Sequence, residues 1–336
     1  MKRKSGGNVS SILITGGAGF VGSHLAERLL SLNYRVTVID NLSTGRRENI
    51  TGIENNPNFN FIADSAANEE VMADLAKESD VIVHLAATVG VKLVIDDPAK
   101  AINNNIETTN VVLKAARHNQ CKVLILSTSE VYSKGNALPF KEEDSLVIGP
   151  PLFDRWSYAA SKLLTEFLAL SFYRKENVPV VVIRLFNTVG PRQVGEYGMV
   201  VPRLIKQALL GEPLTVYGDG SQTRCFLHVN DTVDALVALI ESPAAVGQIF
   251  NVGSTHEISI LELAQKIITI LSSQFAGKER SKVIFVPYKQ VYGNYFEDMY
   301  RRLPDISKMK EVVGWTPKLS LEDTLRDIIN STGILN

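Results

Sequence analysis

The sequence predicts an α/β protein with a doubly wound parallel sheet of the Rossmann type and a smaller, interleaved C-terminal substrate-binding domain. Three observations lead to this prediction. Short apolar strands alternate with helical segments, a glycine-rich turn joins the first strand to the first helix, and an acidic residue ends the second strand. Such alternation is typical of βαβ units, which build a parallel sheet with helices on both faces.

The predicted elements follow one another in a regular order. Short apolar runs predict buried strands at 11–15, 35–40, 81–85, 123–127 and 180–185. Helices are predicted at 21–32, 108–118 and 158–176. After about Phe186 glycine and proline become frequent, which favours a loop-rich second domain.

The composition excludes several classes of protein. The 336 residues carry a formal charge of -1, which gives no electrostatic reason to expect nucleic acid or an anionic membrane as a partner. No apolar run reaches the roughly 18 residues of a membrane span, and none follows the basic residues Lys2 to Lys4 as in a signal peptide. Two cysteines, Cys121 and Cys225, predict neither a disulfide framework nor a metal site. We therefore expect a cytoplasmic protein without a bound metal.

The glycine-rich turn predicts a dinucleotide site. Gly16, Gly19 and Gly22 have the spacing G-x-x-G-x-x-G. The first allows a tight turn, the second lets the backbone approach a pyrophosphate, and the third lets helix and strand pack closely. Asp40 ends the second strand, where a carboxylate accepts the ribose hydroxyls and repels a 2′-phosphate. The combination predicts NAD rather than NADP.

Further cofactor contacts are expected along the same edge of the sheet. Asp64 follows a strand-like segment and could reach the adenine, although a solvated loop acid is an equal alternative. The remaining contacts are predicted at Phe20, Val21, Asn41, Ser65, Leu85, Ala86, Ala87 and Ser127.

These signals predict interleaved domains. Residues 10–185 are expected to form the NAD-binding domain, to which residues 226–254 return with a helix and a strand. Residues 186–225 and 255–330 are expected to form the second domain. Residues 1–9 are expected to be a loose tail.

Tyr158 and Lys162 are the candidate catalytic pair. Their Y-x-x-x-K spacing places both side chains on one face of a helix. A tyrosine with its ordinary pKa of about 10 is a poor base at neutral pH, and a nearby cation lowers that pKa. This spacing alone occurs often by chance. Beside the glycine turn, Asp40 and a strand that ends in Ser127, Thr128 and Ser129, it predicts a dehydrogenase-like site.

The chain resembles the extended short-chain dehydrogenase/reductases that modify nucleotide sugars: 4-epimerases, 4,6-dehydratases and hexuronate decarboxylases. The resemblance runs from about Ser11 to the end. Besides the glycine turn, its motifs are HLAA at 84–87, STSEVY at 127–132, YAASK at 158–162, RLFNTVGPRQ at 184–193, VYGDG at 216–220 and RRLPD at 301–305.

The resemblance implies a mechanism that starts with hydride transfer from sugar C4 to NAD. It implies that Tyr158 takes the C4 hydroxyl proton with help from Thr128, while Lys162 holds the nicotinamide ribose. Asn187 is then expected near the substrate phosphates, with Arg224 and Arg302 on the diphosphate or the sugar. Glu130 joins the catalytic set, and the substrate set is completed by Thr88, Ser129 and Arg192.

The segment Thr128, Ser129, Glu130 narrows the choice of reaction. It lacks the aspartate of dTDP-glucose 4,6-dehydratases, and resembles both UDP-glucuronate decarboxylases and GDP-mannose 4,6-dehydratases. Segments 155–162 and 292–308 resemble the decarboxylases, whereas TVGVKLV at 88–94 resembles relatives named as epimerases. We therefore expect a UDP-glucuronate decarboxylase, with a UDP-sugar 4-epimerase acting on a hexose, N-acetylhexosamine or hexuronate as the alternative. A GDP-mannose-type dehydratase and a non-catalytic NAD sensor remain open, although a sensor typically loses the tyrosine or lysine.

A homodimer is also expected. The helices over 104–118 and 158–176 carry more apolar residues than one sheet face needs, and the resemblance implies an intermolecular four-helix bundle. Examples are Val111, Val112, Leu164, Phe167, Leu168 and Phe172.

Overall fold

A computed structural model describes residues 10–195, 198–274, 281–293 and 296–333; the expected tail at 1–9 lies outside these ranges. The strands are β1 Ser11–Thr15, β2 Arg35–Ile39, β3 Phe59–Ile62, β4 Val81–His84, β5 Lys122–Thr128, β6 Val180–Leu185, β7 Thr188–Val189, β8 Leu214–Tyr217, β9 Thr223–Cys225, β10 Leu227–His228, β11 Ile249–Val252, β12 Glu257–Ser259 and β13 Val283–Val286. The helices are α1 Phe20–Ser31, α2 Glu69–Lys77, α3 Val91–Asp96, α4 Pro98–Asn119, α5 Arg155–Glu176, α6 Val200–Leu209, α7 Val229–Glu241, α8 Ile260–Gln274, α9 Tyr288–Tyr292, α10 Ser307–Val313 and α11 Leu321–Ser331.

A seven-stranded sheet organises the molecule. Its order is β11-β6-β5-β4-β1-β2-β3, and every neighbouring pair is parallel. The strand order reverses at β1, as in other doubly wound sheets, and ligands bind such sheets outside the carboxyl ends of the strands. The predicted α/β fold class is confirmed, and β11 lies beside β6 in this main sheet.

The described residues form four apolar cores, and two of them pack on the faces of this sheet. Side chains of α1, α7 and α10 pack on one face, and those of α2, α4 and α5 pack on the other. A third core joins α6, α8 and α11 in the smaller part of the molecule, with short sheets β8–β13 and β9–β12 beside it. A cleft opens between this third core and the carboxyl ends of the large sheet.

Local sequence signals explain the ends of α4 and α5. Asp97 accepts a hydrogen bond from the backbone N–H of Lys100 at 3.0 Å, and Pro98 begins α4. Both helices end on a left-handed residue with a side-chain amide, Gln120 after α4 and Asn177 after α5. Within the described ranges no helix is long and apolar enough to cross a membrane.

A substitution in the first turn of α1 tests the packing of the glycine motif. A Cβ at Gly22 would lie 2.6 Å from the Cα of Gly17, so Gly22→Ala forces backbone to move. We expect a loss of about 1–3 kcal/mol in the free energy of unfolding, measured by urea denaturation. Gly52→Ala is the matched control, because nothing described lies within 4 Å of its added Cβ. Equal stability of the two variants would contradict the packing role of Gly22.

Candidate active site

One cleft of about 510 Å³ runs along the carboxyl ends of the main strands. Its volume lies in the range of cofactor and ligand sites. The sheet domain contributes the glycine turn and the ends of β2, β4 and β5, and the smaller part contributes α6, β8, β9 and the segment around Arg302. The cleft therefore joins both parts of the molecule.

The glycine turn leaves a helix terminus open to the cleft. Gly16 has a φ of 71°, and a Cβ there would lie 2.8 Å from the backbone nitrogen of Ala86. Gly19 is the N-cap of α1, and no described side chain caps this terminus. Free N–H groups and the helix dipole make such a terminus suitable for a pyrophosphate. The residues present therefore fit the diphosphate of a dinucleotide.

Asp40 closes the same end of the cleft. Its carboxylate accepts hydrogen bonds from the backbone N–H groups of Ala18 at 3.0 Å and Leu42 at 2.8 Å. Burial raises the pKa of Asp40 despite these two bonds. Each carboxylate oxygen keeps a further lone pair, so Asp40 can still accept from ribose hydroxyls.

Most of the residues predicted to contact the cofactor line this cleft. They are Gly16, Gly19, Phe20, Val21, Gly22, Asp40, Asn41, Ser65, Leu85, Ala86, Ala87, Ser127, Tyr158 and Lys162. Asp64 is the exception: it does not line the cleft, and its carboxylate accepts hydrogen bonds from the backbone of Ser65 and the side-chain amide of Asn68. These hydrogen bonds fix the turn after β3, and the expected contact of Asp64 with adenine stays a prediction.

Tyr158 and Thr128 both line the cleft, at the boundary between its cofactor end and its opposite end. Their side chains are close enough for Thr128 to lower the pKa of Tyr158. Burial raises the pKa of Tyr158, and the charge of Glu130 raises it further, whereas Thr128 and Arg302 lower it. Desolvation therefore outweighs the effects of Thr128 and Arg302, and the expected lowering of this pKa by Lys162 stays a prediction.

Lys162 is buried one helical turn further along α5. Burial lowers its pKa to about 8, and Glu166 opposes that change. Glu166 itself pairs with Arg184 at 2.8 Å and accepts a hydrogen bond from Ser127, next to Thr128. This buried support fixes the end of β5 against the catalytic face of α5.

A buried chain of ion pairs fills the other side of the cleft. Arg302 contacts Glu130 at 3.0 Å, and Glu130 contacts Arg155 at 3.3 Å. Arg155 also contacts Asp298 at 2.9 Å, and Asp298 contacts Arg224 at 2.9 Å. Burial alone would raise the pKa values of both carboxyls, but the arginines outweigh it and hold both below their usual range. Three cations therefore face two anions.

Several polar atoms of this cluster lack a partner among the described residues. They are Ser129 Oγ, Arg155 Nε and Arg302 Nε, all buried. Burial lowers the pKa of Arg302 to about 10, which also reflects an incompletely neutralised cation. Buried polar groups and charges are normally satisfied. The surplus cation and the unpaired donors therefore suit an anionic, hydroxylated ligand.

The predicted substrate residues have different surroundings. Thr88, Ser129, Asn187, Arg224 and Arg302 line the cleft, and Arg302 reaches Asn187 at 3.5 Å. Arg192 also lines it, but its guanidinium donates to Ser23 at 3.1 Å and Glu27 at 2.6 Å on α1. Its guanidinium thus lies on the cofactor side of the cleft, and its expected contact with the substrate stays a prediction.

Sequence reasoning missed the charge roles of Arg155 and Asp298. Arg155 begins α5 at the start of the segment 155–162, and Asp298 precedes Arg302 by four residues in the segment 292–308. It also missed an aromatic end of the cleft, where Arg203 lies 3.9 Å from the ring centroid of Tyr217. The other rings there are Tyr288, Tyr292 and Phe296. Flat rings and a guanidinium suit a nucleobase.

The ion pairs predict a pH-dependent stability. Glu130 has a lowered pKa when folded, so its contribution is present above its unfolded pKa and is lost as pH falls through the folded value. We expect Glu130→Gln to lose about 3 kcal/mol at pH 7, because it leaves buried arginines uncompensated, and less below about pH 4. Urea denaturation across pH measures this. Exposed Glu143→Gln is the control, and a loss independent of pH would contradict the assignment.

Known proteins match this chain over nearly its whole length. The family described as GDP-mannose 4,6 dehydratase matches residues 13–328. A UDP-N-acetyl-alpha-D-glucosaminuronate decarboxylase of Bacillus cytotoxicus is 42% identical over 94% of this chain and 96% of its own. UDP-glucuronic acid decarboxylase 4 of Arabidopsis thaliana is 39% identical over 97% of this chain and 68% of its own.

A solved structure has the same fold. It is UDP-glucuronic acid 4-epimerase from Bacillus cereus, in complex with UDP-glucuronic acid and NAD. It aligns with a TM-score of 0.84 and 31% identity over 97% of this chain and all of its own. The resemblance predicted from the motifs is thus confirmed: the chain is an enzyme of the GDP-mannose 4,6-dehydratase family, within the extended short-chain dehydrogenase/reductases.

Proposed function

We propose that this enzyme is an NAD-dependent decarboxylase of a UDP-hexuronate, either UDP-glucuronate or its 2-acetamido counterpart. The observation that carries the proposal is the surplus positive charge in the buried cluster of Arg155, Arg224, Arg302, Glu130 and Asp298. A sugar carboxylate would neutralise it. The two decarboxylases described above, at 42% and 39% identity, support this reading.

The cofactor assignment rests on the glycine turn and Asp40. Both lie at one end of the cleft, and a carboxylate at the second strand disfavours a 2′-phosphate. NAD, when bound, supplies a hydride acceptor at sugar C4, a positively charged ring and the later return of the hydride. The solved epimerase with NAD supports this choice.

The chain's own residues account for the proton movements. Tyr158, beside Thr128, takes the C4 hydroxyl proton as the C4 ketone forms. The C6 carboxylate is then β to a ketone. The C5–C6 bond breaks, CO2 leaves, and the electron pair enters an enolate between C5 and O4. A proton from solvent adds at C5, and the proton on Tyr158 returns to O4 as C4 is reduced, which completes a UDP-pentose.

Glu130 acts in this scheme as an anion. Its lowered pKa means that it holds no proton to give to C5, contrary to a simple acid role. Instead it fixes Arg302, whose charge stabilises the enolate. The same negative charge raises the pKa of Tyr158, so Tyr158 becomes a base only when nearby positive charges stabilise its phenolate.

A UDP-sugar 4-epimerase is the second candidate. The solved UDP-glucuronic acid 4-epimerase, with a TM-score of 0.84, favours it, and a hexuronate epimerase also needs a site for the carboxylate. In that reaction the 4-keto sugar rotates in the site and takes the hydride back on its other face. The two reactions therefore differ after the first hydride transfer.

Two variants separate the halves of the reaction. With UDP-glucuronate, Tyr158→Phe should slow the formation of reduced nicotinamide at least about a hundredfold, because the base is lost. Glu130→Gln should keep that first step and stall decarboxylation, so reduced nicotinamide absorbance builds up while CO2 release falls. Stopped-flow absorbance and CO2 trapping measure both. If Glu130→Gln slows turnover without any build-up, Glu130 does not act after the first step.

We further propose a cytoplasmic homodimer formed through α4 and α5. Leu164 is 52% exposed and Phe167 is 61% exposed on α5, so both are available to a second copy. Val111 and Val112, expected on this surface, are buried in the core instead, because their side chains face the sheet. Leu168 and Phe172 are partly buried and also pack against that core.

Light scattering tests the dimer. Phe167→Glu should convert the wild-type dimer to a monomer at micromolar concentration, because a charge would be buried in an apolar interface. Leu210→Glu is the control, since Leu210 is 54% exposed on another part of the surface. A wild-type monomer would contradict the proposal.

A further inference from the structure

Arg155 occupies the centre of the buried ion-pair chain. One of its terminal nitrogens lies 3.3 Å from Glu130 Oε1 and 2.9 Å from Asp298 Oδ1. The outer links of the chain are Arg302 on Glu130 and Arg224 on Asp298. Arg155 is therefore the residue that joins the two halves of the cluster.

The surroundings of Arg155 fix its guanidinium. Its side chain is 4% exposed, and it lies 5.7 Å from the ring of Trp156 and 5.3 Å from the ring of Phe296. It is also the first residue of α5, the helix that carries Tyr158. Aromatic rings and a rigid helix start leave little freedom for this cation.

We propose that Arg155 is a positioning residue for decarboxylation, which separates the carboxylates of Glu130 and Asp298 and keeps Glu130 as the anion that orients Arg302. The inference rests on the proposed function, since it assigns a purpose to the ionised Glu130 in that reaction. Arg155 acts through Glu130 and has no assigned contact with the reacting atoms.

The charges around Glu130 explain why Arg155 is needed. The groups facing it from α5, β9 and the segment 298–302 are Arg155, Tyr158, Arg224, Asp298 and Arg302. Burial and the charge of Asp298 both favour a protonated Glu130, and the cations oppose them. Without Arg155, two buried carboxylates face each other with one fewer cation, so Glu130 takes up a proton at a higher pH. Arg302 then loses its charged acceptor.

Infrared titration measures the ionisation of Glu130 without turnover. The NAD-loaded enzyme is titrated, and the carboxylic C=O band of Glu130 is identified by its loss in Glu130→Gln. Arg155→Met and Arg155→Gln should raise the pKa of Glu130 by about one unit or more. Arg155→Lys, which keeps the charge, should return the value toward wild type. Arg174→Met is the control, because Arg174 is an exposed arginine on the same helix.

The pH profile of CO2 release gives the second readout. Because ionised Glu130 is required, its raised pKa should move the acid limb of kcat upward by the same amount, so that below the raised pKa the kcat of the neutral variants falls about tenfold per pH unit, while at about pH 8 this loss is absent. Either neutral variant that folds decides the matter. An unchanged infrared pKa in a folded neutral variant overturns the role of Arg155. A wild-type enzyme that leaves the substrate carboxylate intact overturns the proposed function instead, while the infrared result still stands.

Discussion

The cost of burying charge governs the organisation of this active site. Water is largely excluded from the cluster around Glu130, so each ion must be neutralised by a neighbour. The chain meets this requirement by alternating arginines and carboxylates from Arg302 through Glu130, Arg155 and Asp298 to Arg224. One positive charge and several hydrogen-bond donors are left over. That imbalance is the basis for the proposed binding of an anionic substrate group beside Tyr158.

The interleaved chain is what allows this cluster to form. Arg302 lies in a C-terminal segment that is hydrogen-bonded to Asn251 on β11 of the main sheet. The side-chain amide of Asn251 donates to the backbone oxygens of Phe140 at 3.0 Å and Asp305 at 3.2 Å. Phe140 also donates its backbone N–H to Leu303 at 2.8 Å. These bonds set Arg302 against Glu130, which follows directly from β5. Fold and chemistry are therefore linked through the return of β11 to the large sheet.

The sequence predicts the cofactor end of the cleft better than the sugar end. Gly16, Gly22 and Asp40 have fixed spacings because a local turn and the ends of adjacent strands determine their positions. Arg155 and Asp298 meet only through tertiary packing, which no local spacing encodes. Likewise the sequence places Lys162 near Tyr158 but cannot give the desolvation that raises the tyrosine pKa. The side-chain directions of Asp64 and Arg192 depend on neighbours in the fold for the same reason.

The central claim is that the surplus charge receives a hexuronate carboxylate, which the enzyme then removes. The most direct measurement follows UDP-glucuronate and its 2-acetamido counterpart, each labelled with ¹³C at the carboxylate, by NMR with the NAD-loaded wild-type enzyme. The account predicts that the label of one of them appears as CO2 and bicarbonate while a UDP-pentose forms. Retention of the label in an epimerised UDP-hexuronate, or turnover of neutral UDP-hexoses alone, would contradict it.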